Sequence, residues 1–202
     1  MKIILADFNA DLIDAWKIEF EGYKNVEIQC DSIFNYPADA MVSPANSFGF
    51  MDGGLDYSIS MVLGWHVQER LREMIDELPE KELLVGKVLT LPTLSERWPY
   101  LISAPTMRVP MILGSNSVNV YLASLAIFNE LLSNPNISSI VVSGLGTGVG
   151  KVPPRICAHQ MRQAYDHVFI NYSEPKTWQE AQSRHLALCK EPPRDLQQIG
   201  NV

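Results

Sequence analysis

Two glycine-rich stretches hold the residues best suited to chemistry. The first, "SPANSFGFMDGGLD", runs from Ser43 to Asp56: Asn46 leads to the adjacent Gly53 and Gly54, and Asp56 stands two residues beyond. The second, "SGLGTGVGK", runs from Ser143 to Lys151. Each follows an apolar run and precedes a helical spacing. Glycine in such a place accepts positive φ and removes the Cβ that would hold a ligand away from the main chain. Amides exposed at the start of the following helix hold a phosphate without any lysine. Taken alone, either stretch reads equally well as a turn or as a phosphate cradle. The named nucleotide motifs do not fit. "GLGTGVGK" misplaces the four-residue gap before Gly-Lys and has Val152 where a P-loop needs Ser or Thr. Neither register starting at Gly144 or Gly146 completes the dinucleotide fingerprint.

The elements that must position these loops alternate along the chain. "MKIILADFN", "VEIQC" (Val26–Cys30), "ADAMVS", "LLVGKVLTL" (Leu83–Leu91), "YLISAP" (Tyr100–Pro105) and "ISSIVVSG" read as strands. The run from Tyr100 is almost wholly apolar and is expected at the centre of the sheet. Helical spacing marks Ala10–Phe20, Leu55 to about Ile75 with a break near Gly64, Ser117–Leu132, and "PPRICAHQMRQAYD" started by proline. Strands alternating with helices imply an α/β fold, a three-layer αβα sandwich. Residues 1–172 form the expected domain. Residues 173–202 change character: a short helix (Thr177–Leu188) lies between prolines and a polar end. That helix is expected to dock on the domain through Trp178 and Leu186, with a frayed terminus after it.

Composition narrows the function. The chain has 202 residues, 47% hydrophobic and 19% charged, which suits a folded soluble domain. A net charge of −7 repels polyanions, so no nucleic-acid partner is expected, and any phosphate must be held by local backbone donors. Cys30, Cys157 and Cys189 are sparse and odd in number, which reads as reduced thiols in a cytoplasmic protein. With His66, His159, His167 and His185 they give no ligand spacing, so neither metal nor cofactor is expected. "MKIILADFNADL" does not read as a signal peptide, and no apolar run reaches the length of a membrane span.

The two loops, in this order and with "CDSIFNYPADAMVSPAN" before the first, resemble the macrodomain family of ADP-ribose-binding modules over roughly Asp31 to Ala164. The resemblance implies a central mixed β-sheet and a cleft between residues 43–56 and 143–150. Within that cleft it implies that Asp31 accepts a hydrogen bond from the adenine amino group, with Ser32 and Ile33 beside it. Asn46 would hold the distal ribose, with Ala45 next to it. Gly53, Gly54 and Leu55 would lie against that ribose and the diphosphate. The amides of Ser143, Gly144, Leu145, Gly146, Thr147, Gly148 and Val149 would wrap the phosphates. Asp56, with Asn46, would act in catalysis by orienting or activating a water near the anomeric carbon. The implied activity is hydrolysis of an ADP-ribose conjugate, such as an ADP-ribosylated protein, O-acetyl-ADP-ribose or ADP-ribose-1″-phosphate. The alternative is a module that senses an ADP-ribose-type nucleotide without cleaving it.

Departures from the family pattern bear on that choice. Met51 and Asp52 precede the glycine pair where many members have further glycines, and Tyr57 stands where hydrolytic members often carry glycine. A closing strand is implied after the last helix, and "HVFINY" is its candidate. Plainer readings also stand: Asp31 as a cap, Asn46 satisfying loop backbone, Asp56 as a first-turn acid favoured by the helix dipole.

Overall fold

The computed structural model describes residues 1–114 and 116–189. Six strands form one sheet: β1 (Lys2–Ala6), β2 (Val26–Gln29), β3 (Ala40–Ser43), β4 (Leu89–Pro92), β5 (Tyr100–Ser103) and β6 (Ser139–Val142). Their order is β2-β1-β6-β3-β5-β4. The pairs β2–β1, β1–β6, β6–β3 and β3–β5 are parallel, and β5–β4 is antiparallel. The sheet is therefore mixed.

Both of its faces are covered, which explains the near-continuous apolar runs in the strands. Alternate side chains feed two cores. Ile3, Leu5, Val42, Ile102, Ile140 and Val142 pack on the side of α1 (Ala10–Glu19), α4 (Asn119–Ser133) and α5 (Pro154–Phe169). Ile4, Met41, Leu101 and Val141 pack on the side of α2 (Gly54–Leu63) and α3 (His66–Glu77). This is the expected three-layer αβα sandwich.

Local chemistry sets the helix ends. Asn9 caps α1, its side chain accepting from the amides of Asp11 and Leu12. The helix expected from Leu55 to Ile75 divides at Gly64, as its glycine suggests. Pro154 opens α5, where a missing N–H costs nothing. The serine expected to cap α4 sits one residue too early: Val118 precedes the helix, and the Ser117 hydroxyl accepts from Asn119 N.

Three expectations need correction. The strand expected over Leu83–Leu91 forms only from Leu89, because Leu83 N donates to Ser47 O at 2.8 Å and draws residues 83–88 beneath the first loop. "HVFINY" forms no strand; α5 continues to Phe169. The N-terminal strand β1 instead stands between β2 and β6, parallel to both. The helix after residue 173, α6 (Trp178–Leu188), does not pack through Trp178, which is 75% exposed. It is held by Leu188 O, which accepts from the Gln160 side chain, and by Cys189 Sγ, which bonds Asn116 O. The polar end expected to fray lies outside the described residues.

The adjacency of β3 and β6 matters most, because each leads into one glycine loop. Asp39 ties their starts together: its Oδ2 accepts from the amides and hydroxyls of both Ser138 and Ser139 at 2.7–2.9 Å. Burial pushes this carboxyl up, and the four donors outweigh that, so it titrates below the usual aspartate range. A carboxylate lowered on folding stabilises the fold above its unfolded pKa and loses that contribution as pH falls. Asp39→Ala is expected to cost about 1–3 kcal/mol at pH 7. The deficit should shrink as pH drops below the ordinary aspartate value of 3.8. Urea unfolding at several pH values measures both.

Candidate functional site

Parallel strands bring their C-terminal ends to one edge of a sheet, where the following loops open a crevice. Here the crevice is a cleft of about 910 Å3, within the range of small-ligand sites. The first loop supplies Pro44, Ala45, Asn46, Phe50 and Asp52 to Asp56. The second supplies Ser143, Gly144 and Gly146 to Lys151. Thr106, Met107 and Pro110 after β5 make a third wall, and Asp7 and Asn9 after β1 make a fourth.

Of the residues expected at the site, Ala45, Asn46, Gly53, Gly54, Leu55, Asp56, Ser143, Gly144, Gly146, Thr147, Gly148 and Val149 meet in this cleft. Four do not line it. Leu145 turns into the core at 1% exposure, and its carbonyl accepts from Cys157 Sγ. Asp31, Ser32 and Ile33 follow β2, one strand farther out than β1. The Asp31 carboxylate is occupied by Ser32 N at 2.7 Å, by Asn35 Nδ2 at 2.9 Å from both oxygens, and by the Tyr36 hydroxyl. The Asn35 side chain, then the Ser32 amide, hold that carboxyl below its ordinary value. Ser32 caps the single 3-10 turn Ile33–Asn35, and Ile33 is buried in the core.

The first loop is shaped by Asn46. Its Oδ1 accepts from the amides of Phe48 and Phe50, and its Nδ2 donates to Phe50 O at 2.7 Å. One Nδ2 hydrogen remains for another partner. The loop is stitched to the segment after β5 by Thr106 N to Ala45 O and Ser47 N to Arg108 O. Arg108 itself pairs with both oxygens of Glu82 at 2.6–2.7 Å. Gly54 opens α2 with φ of +56°, a left-handed conformation that glycine adopts without strain. The amides at the start of α2 receive no side-chain cap.

The second loop folds back on itself. Val152 N donates to Gly146 O, and Gly150 O accepts from Leu113 N at 2.9 Å. A Cβ on Gly150 would lie 2.5 Å from Gly146 O, so only glycine fits. Among the described residues, the amides of Gly146 to Gly150 donate to no protein acceptor. Gly146 to Gly150 and the uncapped start of α2 line one cleft, and N–H groups without protein acceptors contribute a local positive potential there.

Asp56 is the buried charge of the site, 8% exposed, and accepts from Ser43 Oγ at 2.6 Å. Burial pushes its carboxyl up to about 6, against the lowering effect of that hydrogen bond. Asp7 and Asn9 are cleft residues missed by the sequence analysis. Asp7 Oδ2 accepts from Ser143 Oγ at 2.9 Å and Gly144 N at 3.0 Å, which fixes where the second loop leaves β6. An acid and an amide directly after the first strand were the available signal. A smaller hollow of about 350 Å3 between α1 and the start of α5, bordered by Arg155, receives neither loop.

A family model described as Macro domain matches residues 42–161, more than half of the chain. The chain belongs to the macro domain family. It is 31% identical over 137 residues to an uncharacterized protein of Aquifex aeolicus, a match covering 68% of this chain and 78% of that one. The macrodomain of Mycobacterium tuberculosis DarG superposes with a TM-score of 0.58 at 16% identity, over 67% of this chain and 86% of that one. The Trypanosoma brucei macrodomain in complex with ADP-ribose gives 0.51 at 20% identity, over 67% and 55%.

The burial of Asp56 has a stability consequence with a definite sign. Its folded pKa is raised, so the native state favours the neutral acid. The fold is most favoured below the ordinary value of 3.8 and loses stability as pH rises through about 6. A displacement of this size corresponds to about 3 kcal/mol. Asp56→Asn is expected to abolish this dependence, gaining on the wild type between pH 4 and pH 7. Parallel denaturation curves for the two proteins should therefore diverge; curves that stay parallel would place the carboxyl in water.

Proposed function

We propose that the cleft binds ADP-ribose or a close derivative and hydrolyses an ADP-ribose conjugate, with ADP-ribosylated protein, O-acetyl-ADP-ribose and ADP-ribose-1″-phosphate as the candidate substrates. The observation that carries this reading is a buried carboxylate set between two runs of unclaimed peptide N–H groups. The free amides of Gly146 to Gly150 and the start of α2 suit a diphosphate. With the diphosphate there, the distal ribose lies over Gly53 and Gly54 beside the spare Asn46 Nδ2 hydrogen. Asp56, with a pKa of about 6, is largely ionised at neutral pH and retains the basicity to take a proton from water. Residues 1–172 form the working unit, with 173–202 appended to it. The exposed free thiol of Cys30 suits a reducing, cytoplasmic setting.

A second reading, binding without turnover, is favoured by two particular observations. Asn46 spends most of its hydrogen bonds on its own loop. Tyr57, 46% exposed and in edge contact with Trp65, follows Asp56 in the first turn of α2, at the position where the resemblance puts glycine in many hydrolytic members. Calorimetry with ADP-ribose and a product-release assay on a conjugate separate the two readings. Hydrolysis is expected to rise with pH through about 6 and to fall by roughly 100-fold or more in Asp56→Asn while ADP-ribose still binds. Binding with no release of ADP-ribose at any pH selects the sensing module, and no binding at all removes both readings.

A further inference from the structure

We propose that the segment joining β5 to α4 is a docking surface for an apolar stretch of polypeptide, the acceptor to which ADP-ribose is attached. This rests on the ADP-ribose reading above and selects the modified protein among its three candidate substrates. Strand order supplies the first argument. The diphosphate is placed over the loop that follows β6, and the distal ribose over the loop that follows β3. A group carried on that ribose and leaving away from the diphosphate meets the next strand, β5, and the chain that follows it. That chain runs against both glycine loops. Met107 forms a bridge with Asn46, and Arg108 O accepts from Ser47 N. Farther on, Leu113 N donates to Gly150 O at 2.9 Å. Residues 107–113 thus close the ribose end of the cleft, from one loop to the other.

The chemistry of this wall supplies the second. Val109, Met111 and Ile112 are exposed, Ile112 by 71%, and Val149 stands next to Gly150 at 55% exposure. Met107 and Pro110 continue the apolar lining into the cleft. Large apolar side chains exposed together at the rim of a site mark a contact surface. Arg108 is the one cationic residue from Met107 to Leu113, and both oxygens of Glu82 hold its guanidinium. A terminal phosphate would find no free cation on this wall, and the ionised Asp56 carboxylate would repel it. The backbone decides between a small acyl group and a polypeptide. Among the described residues, the main-chain groups of 109–112 make no backbone hydrogen bond within the protein. Free N–H and C=O groups flanked by apolar side chains suit pairing with an extended peptide. An acetyl group would cover little of this surface.

The test is calorimetric titration of the full chain carrying Asp56→Asn, which slows cleavage of a conjugate. The ligands are free ADP-ribose, ADP-ribose-1″-phosphate and two peptides esterified to ADP-ribose through a glutamate. One peptide has leucine and valine flanking the modified residue, the other serine and glycine. The apolar conjugate is expected to bind roughly 10-fold tighter than free ADP-ribose, the gain from covering one or two apolar side chains. The serine–glycine conjugate is expected to match free ADP-ribose. Adding Met111→Ser and Ile112→Ser is expected to abolish the preference and leave the affinity for free ADP-ribose unchanged. Both side chains are exposed, and thermal unfolding checks that the fold is retained. Equal binding of the two peptides, or a preference that survives these two substitutions, overturns the assignment. So does tighter binding of ADP-ribose-1″-phosphate than of the apolar conjugate. A dimer seen by sedimentation and lost with the same substitutions gives the surface to a second copy and overturns it equally. Failure of free ADP-ribose to bind is a different result, which refutes the ADP-ribose reading and this proposal with it.

Discussion

Peptide nitrogens without acceptors set the character of this cleft. On a chain with net charge −7, no surface field gathers anions, and Lys151 is the one cationic side chain among the described residues that line the cleft. Whatever attraction the cleft has for phosphate comes from backbone dipoles whose direction the fold holds fixed. Such dipoles are effective only if they stay pointed inward when no ligand is present. The contact of Gly150 with the Gly146 carbonyl, the Leu113 bond to Gly150 and the grip of Asp7 on Gly144 hold the second loop in that state. Asn46 does the same for the first loop from within. Both loops are therefore preorganised by hydrogen bonds made before any ligand arrives, which spares the cost of ordering them on binding.

That rigidity also sets the chemistry open to Asp56. A carboxyl at this depth has one close hydrogen-bond donor, Ser43, and little water. Its elevated pKa is the electrostatic cost of a buried acid, and the same shift makes it a better base than an exposed aspartate. The site thus trades some fold stability for a group that changes protonation near neutral pH. Ser43 is the last residue of β3 and Asp56 lies on the first turn of α2, so the pair also joins the sheet to the helix that follows the first loop.

Much of this arrangement was legible in residues close together in the chain. "SPANSFGFMDGG" and "SGLGTGVG" announce loops whose backbone must be approached closely, and strands alternating with helices fix their place at one sheet edge. What escaped was set by contacts distant in sequence. Nothing local reveals that β1 inserts between β2 and β6, and it is this insertion that brings Asp7 and Asn9 into the cleft. Leu83 to Val88 have the composition of a strand but are drawn aside by Ser47, thirty-six residues earlier. Asn46 has two candidate roles in the sequence, and the loop-shaping one is local, since its partners Phe48 and Phe50 lie within four residues.

The most direct test of the central claim is a map of which backbone amides respond to ADP-ribose, followed by nitrogen–proton NMR on the full chain. The account expects the largest shifts at Gly53 to Leu55 and Gly146 to Gly150, together with slowed hydrogen exchange at those nitrogens. Shifts confined to the hollow around Arg155, with both glycine loops unmoved, would contradict it.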